Sequence, residues 1–244
     1  MIWIEKKNKL STPPASSKNI KLLPKSPMVL NLLTIEVIAK IIKKISVGSK
    51  IFDICLFGDS SLIEELSKVY NKKQVFKGIA FPTCISVNEV CGYNSPMPEE
   101  STAIKEGDLV KIELGAHVDG FAAFAAHTII VQSDAKAVVT GRKADVILAA
   151  YKAAQAALRL IKPGNFNNQV TETIKKVCDS YHVAPLEGVL SHDLKKHLID
   201  GNKVILNNET FEQKVDDQEF QVNDVFALDI FVSSGDGKTK EVIT

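Results

Sequence analysis

Two acidic residues, Glu113 and Asp229, stand inside otherwise apolar segments of the sequence. A carboxylate is costly to bury unless a cation or hydrogen-bond donors compensate for its lost hydration. Glu113 and Asp229 are therefore candidate metal ligands, with His117, His127 and His192 as possible further ligands. The alternative is that each carboxylate points into water or accepts hydrogen bonds from neighbouring backbone. Spacing alone leaves both interpretations open.

The segments around these two residues share one pattern. Asp108 is followed after four residues by Glu113, and Asp224 is followed after four residues by Asp229, and the two copies lie 116 residues apart. In both copies the acidic residue is flanked by apolar residues typical of a strand, and a glycine follows. The repeat indicates a fold assembled from two related halves.

The elements that would position these residues are a mixture of helices and strands, which predicts an α+β fold. Apolar residues spaced three and four apart predict a helix from Leu32 to near Gly48. Further helices are predicted from a capping box at Ser61-x-x-Glu64 to about Lys72, and over about Lys143–Ile161, Gln169–Tyr181 and Asp193–Leu198. Strands are predicted over Gly78–Val87 (interrupted by Pro82), Leu109–Leu114, Gly120–Val131 and Val225–Val232, with a hairpin joining the second and third, and a surface loop over 202–219.

Composition places the chain among soluble globular proteins. Its 244 residues are 45% hydrophobic and 24% charged, which is enough chain for one large domain. The longest apolar stretch, Met28 to Ile42, is interrupted by Asn31, Glu36 and Lys40, so we expect no membrane span. Four widely spaced cysteines without a C-x-x-C pair predict reduced, mostly buried thiols.

Charge is unevenly distributed along the chain. Residues 1–50 carry ten lysines and two glutamates, a net charge of +8, so residues 51–244 carry −7 of the overall +1. Residues 1–30 show no periodicity and are predicted to be a disordered basic tail. Such a segment can bind phosphate-rich partners or simply keep the protein soluble.

Several longer motifs carry a resemblance to a known family. They are GIAFPT from Gly78, KEGDLVKIELGAHVDG from Lys105, TGRKADV from Thr140, EGVLSH from Glu187 and DIFVSSGDG from Asp229. In this order they resemble the proliferation-associated, ErbB-receptor-binding protein family, the non-catalytic relatives of type 2 methionine aminopeptidase. The resemblance covers about residues 32–244. It implies the pita-bread fold of peptidase family M24, two pseudo-symmetric α+β halves around a curved sheet.

The resemblance also implies where metal ligands would fall. The aminopeptidases hold two metal ions through two Asp, one His and two Glu. Here the first Asp corresponds to Glu113, the second to Phe124, the His to a position near His192 and the first Glu to Asp229. Tyr93 replaces a histidine near the substrate pocket. Because a phenyl ring cannot bind a metal, we expect no metal cofactor and no aminopeptidase activity.

The last Glu ligand would fall in a strand beyond Thr244. We therefore expect residues 31–244 to form an M24-like domain that is apparently truncated at the C-terminus and lacks its closing strands. A monomer is expected if the fold is complete. Unpaired strand edges would otherwise favour association with a partner.

As a family member, the protein is expected to bind structured RNA, the large ribosomal subunit and regulatory proteins. Expected roles are in ribosome biogenesis, translation and growth regulation, in the cytoplasm and in the nucleus or nucleolus. Four lysine pairs could contact phosphates, although the same pairs are also typical of solvated helix faces. The pairs are Lys43 with Lys44, Lys72 with Lys73, Lys175 with Lys176, and Lys195 with Lys196.

Two alternatives remain open from the sequence. One is a metal-dependent methionine aminopeptidase with an altered ligand set, made of Glu113, His117, His127, His192 and Asp229. The other is a protein-interaction scaffold that holds a partner's terminus in the empty peptide cleft. The aromatic side chains at 93 and 124 would make that cleft more apolar than a metal site.

Overall fold

The computed structural model describes residues 26–71, 74–100, 102–134 and 136–241. Mixed helices and strands confirm the α+β prediction. The helices are α1 (Ser26–Lys44), α2 (Ile51–Lys68), α3 (Arg142–Leu160) and α4 (Asn167–Ser180). The strands are β1 (Lys77–Val87), β2 (Leu109–Val118), β3 (Phe121–Ile130), β4 (Ala184–Pro185), β5 (Leu190–Asp193), β6 (Val204–Leu206), β7 (Phe226–Ala227) and β8 (Val232–Ser233).

The first half of the fold is a three-stranded antiparallel sheet in the order β1-β2-β3, with α1 and α2 packed on one face. Val110, Ile112 and Leu114 of β2 point into the core beneath the helices, where they join Val37 and Ile41 of α1. Because side chains alternate along a strand, the residues between them face the other side of the sheet. That other face carries the candidate site.

The hairpin between β2 and β3 is tighter than the sequence predicts. β2 continues to Val118, which pairs with Phe121 at the start of β3. The two intervening residues, Asp119 and Gly120, have φ of 53° and 79°. Positive φ at both positions is typical of a type I′ turn, and its twist suits a two-residue hairpin. The Asp-Gly dipeptide therefore closes the loop that the sequence predicted over Gly115–Gly120.

The second half packs α3 and α4 together over two small sheets, one pairing β4 with β8 and one in the order β6-β5-β7. Ala149, Ala153 and Ala157 of α3 are fully buried against Ile174 of α4 and Ile205 of β6. Small side chains on α3 let the neighbouring helix approach closely. The alanine-rich sequence of α3 thus serves packing as well as helix propensity.

The internal repeat predicted from the sequence has a matching local structure. The Asp108 carboxylate accepts a hydrogen bond from the Lys105 backbone N–H, and its own N–H donates to the Lys105 carbonyl at 3.2 Å. Asp224 makes the same two contacts with Gln221, again with a carbonyl distance of 3.2 Å. Each copy of the repeat therefore begins with the same turn, which the aspartate closes. Glu113 follows this turn in the first copy, and Asp229 follows it in the second.

Both helices of the first half begin earlier than predicted. α1 begins at Ser26 because its buried face extends N-terminally through Leu30, which is fully buried. α2 begins at Ile51, so Ser61 lies inside the helix and the predicted capping box is wrong. The buried face of α2 runs from Ile51 to Leu66 and includes Ser61, and this packing decides where the helix begins.

The second half also differs from the sequence prediction. The predicted helix over Asp193–Leu198 is wrong, because β5 ends at Asp193 and its carboxylate accepts a hydrogen bond from the Lys203 N–H at 2.8 Å. The segment 202–219 contains strand β6, whose Ile205 is fully buried. The predicted continuous strand over Val225–Val232 pairs regularly only at its two ends, as β7 and β8.

Three of the four cysteines, Cys55, Cys84 and Cys178, are buried as free thiols, while Cys91 is half-buried. This confirms the prediction of buried thiols for those three. Among the described residues, no helix combines the length and the apolar character that crossing a membrane requires. The predicted tail lies largely outside the described residues, because residues 1–25 are not part of them.

Gly58 generates a test of the packing between α2 and the sheet. A Cβ at this position would lie 2.5 Å from Oγ1 of the buried Thr83 and 2.9 Å from Cδ1 of Ile41. Gly58→Ala should therefore lower the free energy of unfolding by roughly 1–3 kcal/mol through overpacking, despite the better helix propensity of alanine. Urea denaturation followed by circular dichroism measures the change.

The matched control is Ser60→Ala, two residues further along the exposed side of the same helix. This variant should be as stable as the wild type or slightly more stable. Equal stability of the two variants would contradict the close contact between Gly58 and the sheet.

Candidate functional site

Glu113 lies at the centre of β2, on the face opposite the helices. It pairs with Cys84 of β1 and with Ala126 of β3, and only 1% of the residue is exposed. Its Oε2 accepts a hydrogen bond from the Tyr93 backbone N–H at 3.1 Å, whereas Oε1 has no partner in the described structure. Burial and the nearby Glu113 carboxyl raise the pKa of the Cys84 thiol to about 12. The cysteine beside this carboxyl therefore remains a thiol.

Asp229 lies in the irregular segment between β7 and β8, where 2% of the residue is exposed. Ser191 of β5 holds this backbone through its hydroxyl, which accepts a hydrogen bond from the Asp229 N–H at 2.9 Å. His192 Nε2 lies 3.6 Å from Asp229 Oδ2. Asp229 Oδ1 and His192 Nδ1 have no partner among the described residues.

The two carboxyl groups influence each other across the interface between the halves. Burial raises the pKa of Glu113; the Tyr93 N–H opposes this rise and Asp229 adds to it. The contact with Asp229 raises the pKa of His192, in opposition to burial. Burial thus disfavours the charged form of Glu113, while Asp229 favours the charged form of His192.

An aromatic cluster borders the carboxyl pair. Phe124 of β3 pairs with Gly115 of β2, which places it diagonally across the ladder from Glu113. Its ring contacts Phe81 edge-on at a centroid distance of 6.3 Å, and Phe81 contacts Tyr93 at 5.8 Å. A Cβ at position 115 would lie 2.6 Å from the Phe124 ring, so only glycine allows this ring orientation. The position that the resemblance assigns to the second Asp ligand is thus filled by a packed ring.

These residues do not fit the pair of divalent ions that the resemblance implies. Hard divalent cations require several oxygen ligands arranged around each ion. Here Glu113 and Asp229 supply the carboxyl groups, while Phe124 supplies none and packs where a third would be needed. Within the described ranges, no three His, Cys, Asp or Glu side chains come together in a group that could hold a metal ion.

The altered ligand set considered from the sequence is not assembled either. The His117 ring packs against Phe76 at a centroid distance of 4.9 Å, and burial, with His197 nearby, lowers its pKa. His127 pairs with Ile112 in the ladder, so its side chain leaves β3 on the face opposite Glu113. Of these five residues, the structure pairs His192 with Asp229, and Asp229 influences the pKa of Glu113.

The lysine pairs proposed as phosphate contacts lie on separate elements, and some are already paired. Lys176 contacts Glu172, Lys195 contacts Asp193 and Lys196 contacts Asp119. Among the described residues, no carboxylate lies within ion-pair distance of the other three, which are Lys43, Lys44 and Lys175. Lys72 and Lys73 lie outside the described residues.

Sequence reasoning missed the groups that hold the carboxyls in place. Tyr93 was singled out for its side chain, but it contributes through its backbone N–H, which a φ of 63° turns towards Glu113. Gly92 precedes it, where a Cβ would lie 3.2 Å from Glu113 Oε2. The Cys-Gly-Tyr-Asn turn was the available signal. Nothing local in the sequence marks Ser191 as a partner of Asp229.

The chain belongs to metallopeptidase family M24, which it matches over residues 31–239. It is similar to "Proliferation-associated protein A" of Dictyostelium discoideum, with 46% identity over 205 residues that cover 84% of this chain and 53% of the relative. It is also similar to "ERBB-3 BINDING PROTEIN 1" of Arabidopsis thaliana, with 50% identity over 194 residues that cover 79% of this chain and 49% of the relative.

More distant similarity reaches the enzymes of the family. "Methionine aminopeptidase" of Thermococcus onnurineus is 27% identical over 207 residues, which cover 85% of this chain and 63% of the enzyme. The solved "Structure of a thermophilic Arx1" superposes with a TM-score of 0.80 at 28% identity, covering 90% of this chain and 65% of that chain. These findings confirm the predicted family and its pita-bread fold. The chain spans about half the length of the first two relatives.

Glu113→Gln tests the shared burial of the two carboxyls. The folded-state pKa of Glu113 is raised above its ordinary 4.5, so the wild type loses stability as the pH rises from 4.5 through the folded-state pKa. Glutamine does not ionise, so the variant does not lose stability in this way. Relative to the wild type, the variant should gain stability as the pH rises from 4.5 through the folded-state pKa of Glu113, by about 1.4 kcal/mol for each unit by which that pKa is raised.

Chemical denaturation at a series of pH values measures this difference. Glu36→Gln, on the exposed side of α1, is the control and should follow the wild type at every pH. Parallel stability curves for Glu113→Gln and the wild type would show that the pKa of Glu113 is not raised in the folded protein.

Proposed function

We propose that this protein is a non-catalytic aminopeptidase-like scaffold that binds structured RNA and the large ribosomal subunit. The observation that carries the loss of catalysis is Phe124, packed against Phe81 and Gly115 where the enzymes would bridge two metals. A metal ligand at position 124 would require a different side chain there and a rearrangement of the Phe81 and Tyr93 rings. Of the remaining carboxyls, Glu113 accepts a hydrogen bond from the Tyr93 N–H and Asp229 lies beside His192.

Support for the binding role comes from the relatives. The relatives named "Proliferation-associated protein A" and "ERBB-3 BINDING PROTEIN 1" are 46% and 50% identical to this chain over the matched regions. We infer roles in ribosome biogenesis, translation and growth regulation, together with a distribution between the cytoplasm and the nucleus or nucleolus. Regulatory proteins are further proposed partners.

The lysines without carboxylate partners supply the chemistry for RNA contact. Lys43 and Lys44 end α1 and are exposed, and Lys44 also lies over the Phe57 ring at 5.8 Å. Lys175 is exposed on α4. Lysine contacts phosphate as a point charge and carries little sequence information, so recognition would follow RNA shape and backbone.

Metal loading tests the proposed loss of catalysis. The purified chain, incubated with Mn²⁺ or Co²⁺ and then dialysed, should retain far less than one ion per chain and release no methionine from a short peptide. An active methionine aminopeptidase treated in parallel is the control. Retention of about two ions per chain together with methionine release would overturn the proposal.

A salt titration tests the proposed RNA contact. Filter binding to a structured large-subunit ribosomal RNA fragment should weaken as salt rises, because phosphate contacts release counterions. Lys43→Ala/Lys44→Ala should lower the affinity and reduce the slope of log K against log salt by about 1 to 2.

The matched control is Lys68→Ala/Lys176→Ala, which removes two helix lysines that already contact glutamates. This control should bind RNA almost as tightly as the wild type. Binding that does not respond to salt, or an equal loss in both double variants, would exclude contact through the end of α1.

A further inference from the structure

The turn between α1 and α2 carries an exposed serine that follows a pair of lysines. Ser46 lies just after the end of α1, and Lys43 and Lys44 precede it. Among the described serines, Ser46 is the one with two lysines among the three residues before it. Ser67, by contrast, follows two glutamates, and its hydroxyl donates to a backbone carbonyl of the same helix at 2.6 Å.

The backbone of this turn holds the Ser46 side chain at the surface. The Ser46 carbonyl accepts a hydrogen bond from the Ser49 N–H at 3.0 Å, and Gly48 has a φ of 86°, as the third residue of a type II turn requires. The Gly48 N–H donates to the Ile104 carbonyl at 2.8 Å, which fixes the turn against a neighbouring segment. The Ser46 hydroxyl lies 3.0 Å from the Ser49 hydroxyl. A modifying enzyme therefore has access to it.

Four lysines adjoin the turn, and none has a carboxylate within ion-pair distance in the described ranges. They are Lys43, Lys44, Lys50 and Lys105. Lys50 pairs with Ala103 in an isolated bridge, so Lys105 lies two residues beyond this pairing. The carboxyl groups of the adjoining segments are Asp53, in the first turn of α2, and Asp108, which accepts a hydrogen bond from the Lys105 N–H. Lysines outnumber carboxyl groups, so the surface around the turn is basic.

We propose that Ser46 is a phosphorylation site for a kinase that selects serines after basic residues, and that its phosphate weakens RNA contact through the end of α1. The Ser46 hydroxyl oxygen would attack the γ-phosphorus of ATP, the bond from this phosphorus to the ADP oxygen would break, and the hydroxyl proton would pass to a base of the kinase. Charge patterns of this kind direct kinases to their substrates. The effect on RNA rests on the proposed function, whereas the phosphorylation site does not.

A phosphate on Ser46 would change the charge at the place where RNA phosphates would bind. A phosphoserine carries about −1.5 to −2 charges at neutral pH and three strong acceptor oxygens. It would lie beside Lys43 and Lys44 in the sequence and could accept a hydrogen bond from the Ser49 hydroxyl. These lysines would then be partly neutralised, and fewer counterions would be released on RNA binding.

Phosphorylation of the full chain tests the site. The chain is incubated with ATP, Mg²⁺ and the catalytic subunit of cyclic-AMP-dependent protein kinase, and tandem mass spectrometry locates the phosphate. Ser46 should be modified, and Lys43→Ala/Lys44→Ala should slow this modification at least about tenfold because the kinase loses both charges. In the control variant Ser49→Ala, Ser46 should still be modified. No phosphate on Ser46, or an equal rate without the two lysines, would overturn the proposal.

A phosphorus NMR titration measures the contact between phosphate and lysines without RNA. The second pKa of the Ser46 phosphate should lie below its ordinary value of about 6, because nearby lysines favour the dianion. Lys50→Ala/Lys105→Ala should return this pKa towards the ordinary value. Lys152→Ala/Lys176→Ala, which removes two exposed lysines of the second half, should not. An ordinary pKa in the wild type would contradict the proposed neutralisation.

Filter binding to the large-subunit ribosomal RNA fragment tests the effect on RNA. The phosphorylated chain should bind at least about tenfold more weakly than the unmodified chain at low salt, with a smaller salt slope. Ser46→Ala should bind equally before and after kinase treatment. Equal affinity of the wild type with and without the phosphate would overturn the proposed effect.

Failure of the proposed function has a different signature. If the unmodified chain does not bind the RNA fragment, RNA binding is refuted, together with its control by Ser46. Phosphate mapping and the NMR titration then still decide whether Ser46 is phosphorylated beside the lysines.

Discussion

The structure depends on how two buried carboxyl groups, one from each half, are accommodated at the same interface. Glu113 and Asp229 are almost fully excluded from water, and each leaves one oxygen without a partner among the described residues. Burying two like charges near each other is costly, and Asp229 accordingly adds to the rise in the pKa of Glu113 that burial causes. The Tyr93 N–H donates to Glu113, and His192 lies beside Asp229. These groups lower the cost of bringing the two halves together.

The hairpin of the first half adds a second connection between the halves. The His197 N–H donates to the Gly120 carbonyl at 2.8 Å, and Lys196 contacts Asp119 at 2.9 Å. A Cβ at position 120 would lie 2.3 Å from the His197 ring, so the glycine serves both the turn and the contact. These contacts fix the sheet relative to β5, and hence Glu113 relative to Asp229.

The pair of Gly115 and Phe124 decides the character of the space beside Glu113. The Phe124 ring packs against Phe81, and a Cβ at position 115 would lie 2.6 Å from that ring. A packed ring supplies no oxygen ligand, so this part of the face is apolar. One glycine in β2 thus determines which side chain of β3 the sheet can accommodate.

The sequence by itself determined the α+β class, a hairpin between the second and third strands and the repeat of Asp108 with Asp224, because each depends on local periodicity or turn chemistry. The structure added the two-residue Asp119-Gly120 turn and the turn that each repeated aspartate closes. It also identified Glu113 and Asp229, since acidic residues inside apolar strands are conspicuous. The start of α2, the strand in place of the helix after Asp193 and the role of the Tyr93 N–H were decided by tertiary structure. Each of these depends on contacts between residues distant in the chain, and such contacts can outweigh local preference by burying apolar surface or pairing a buried polar group.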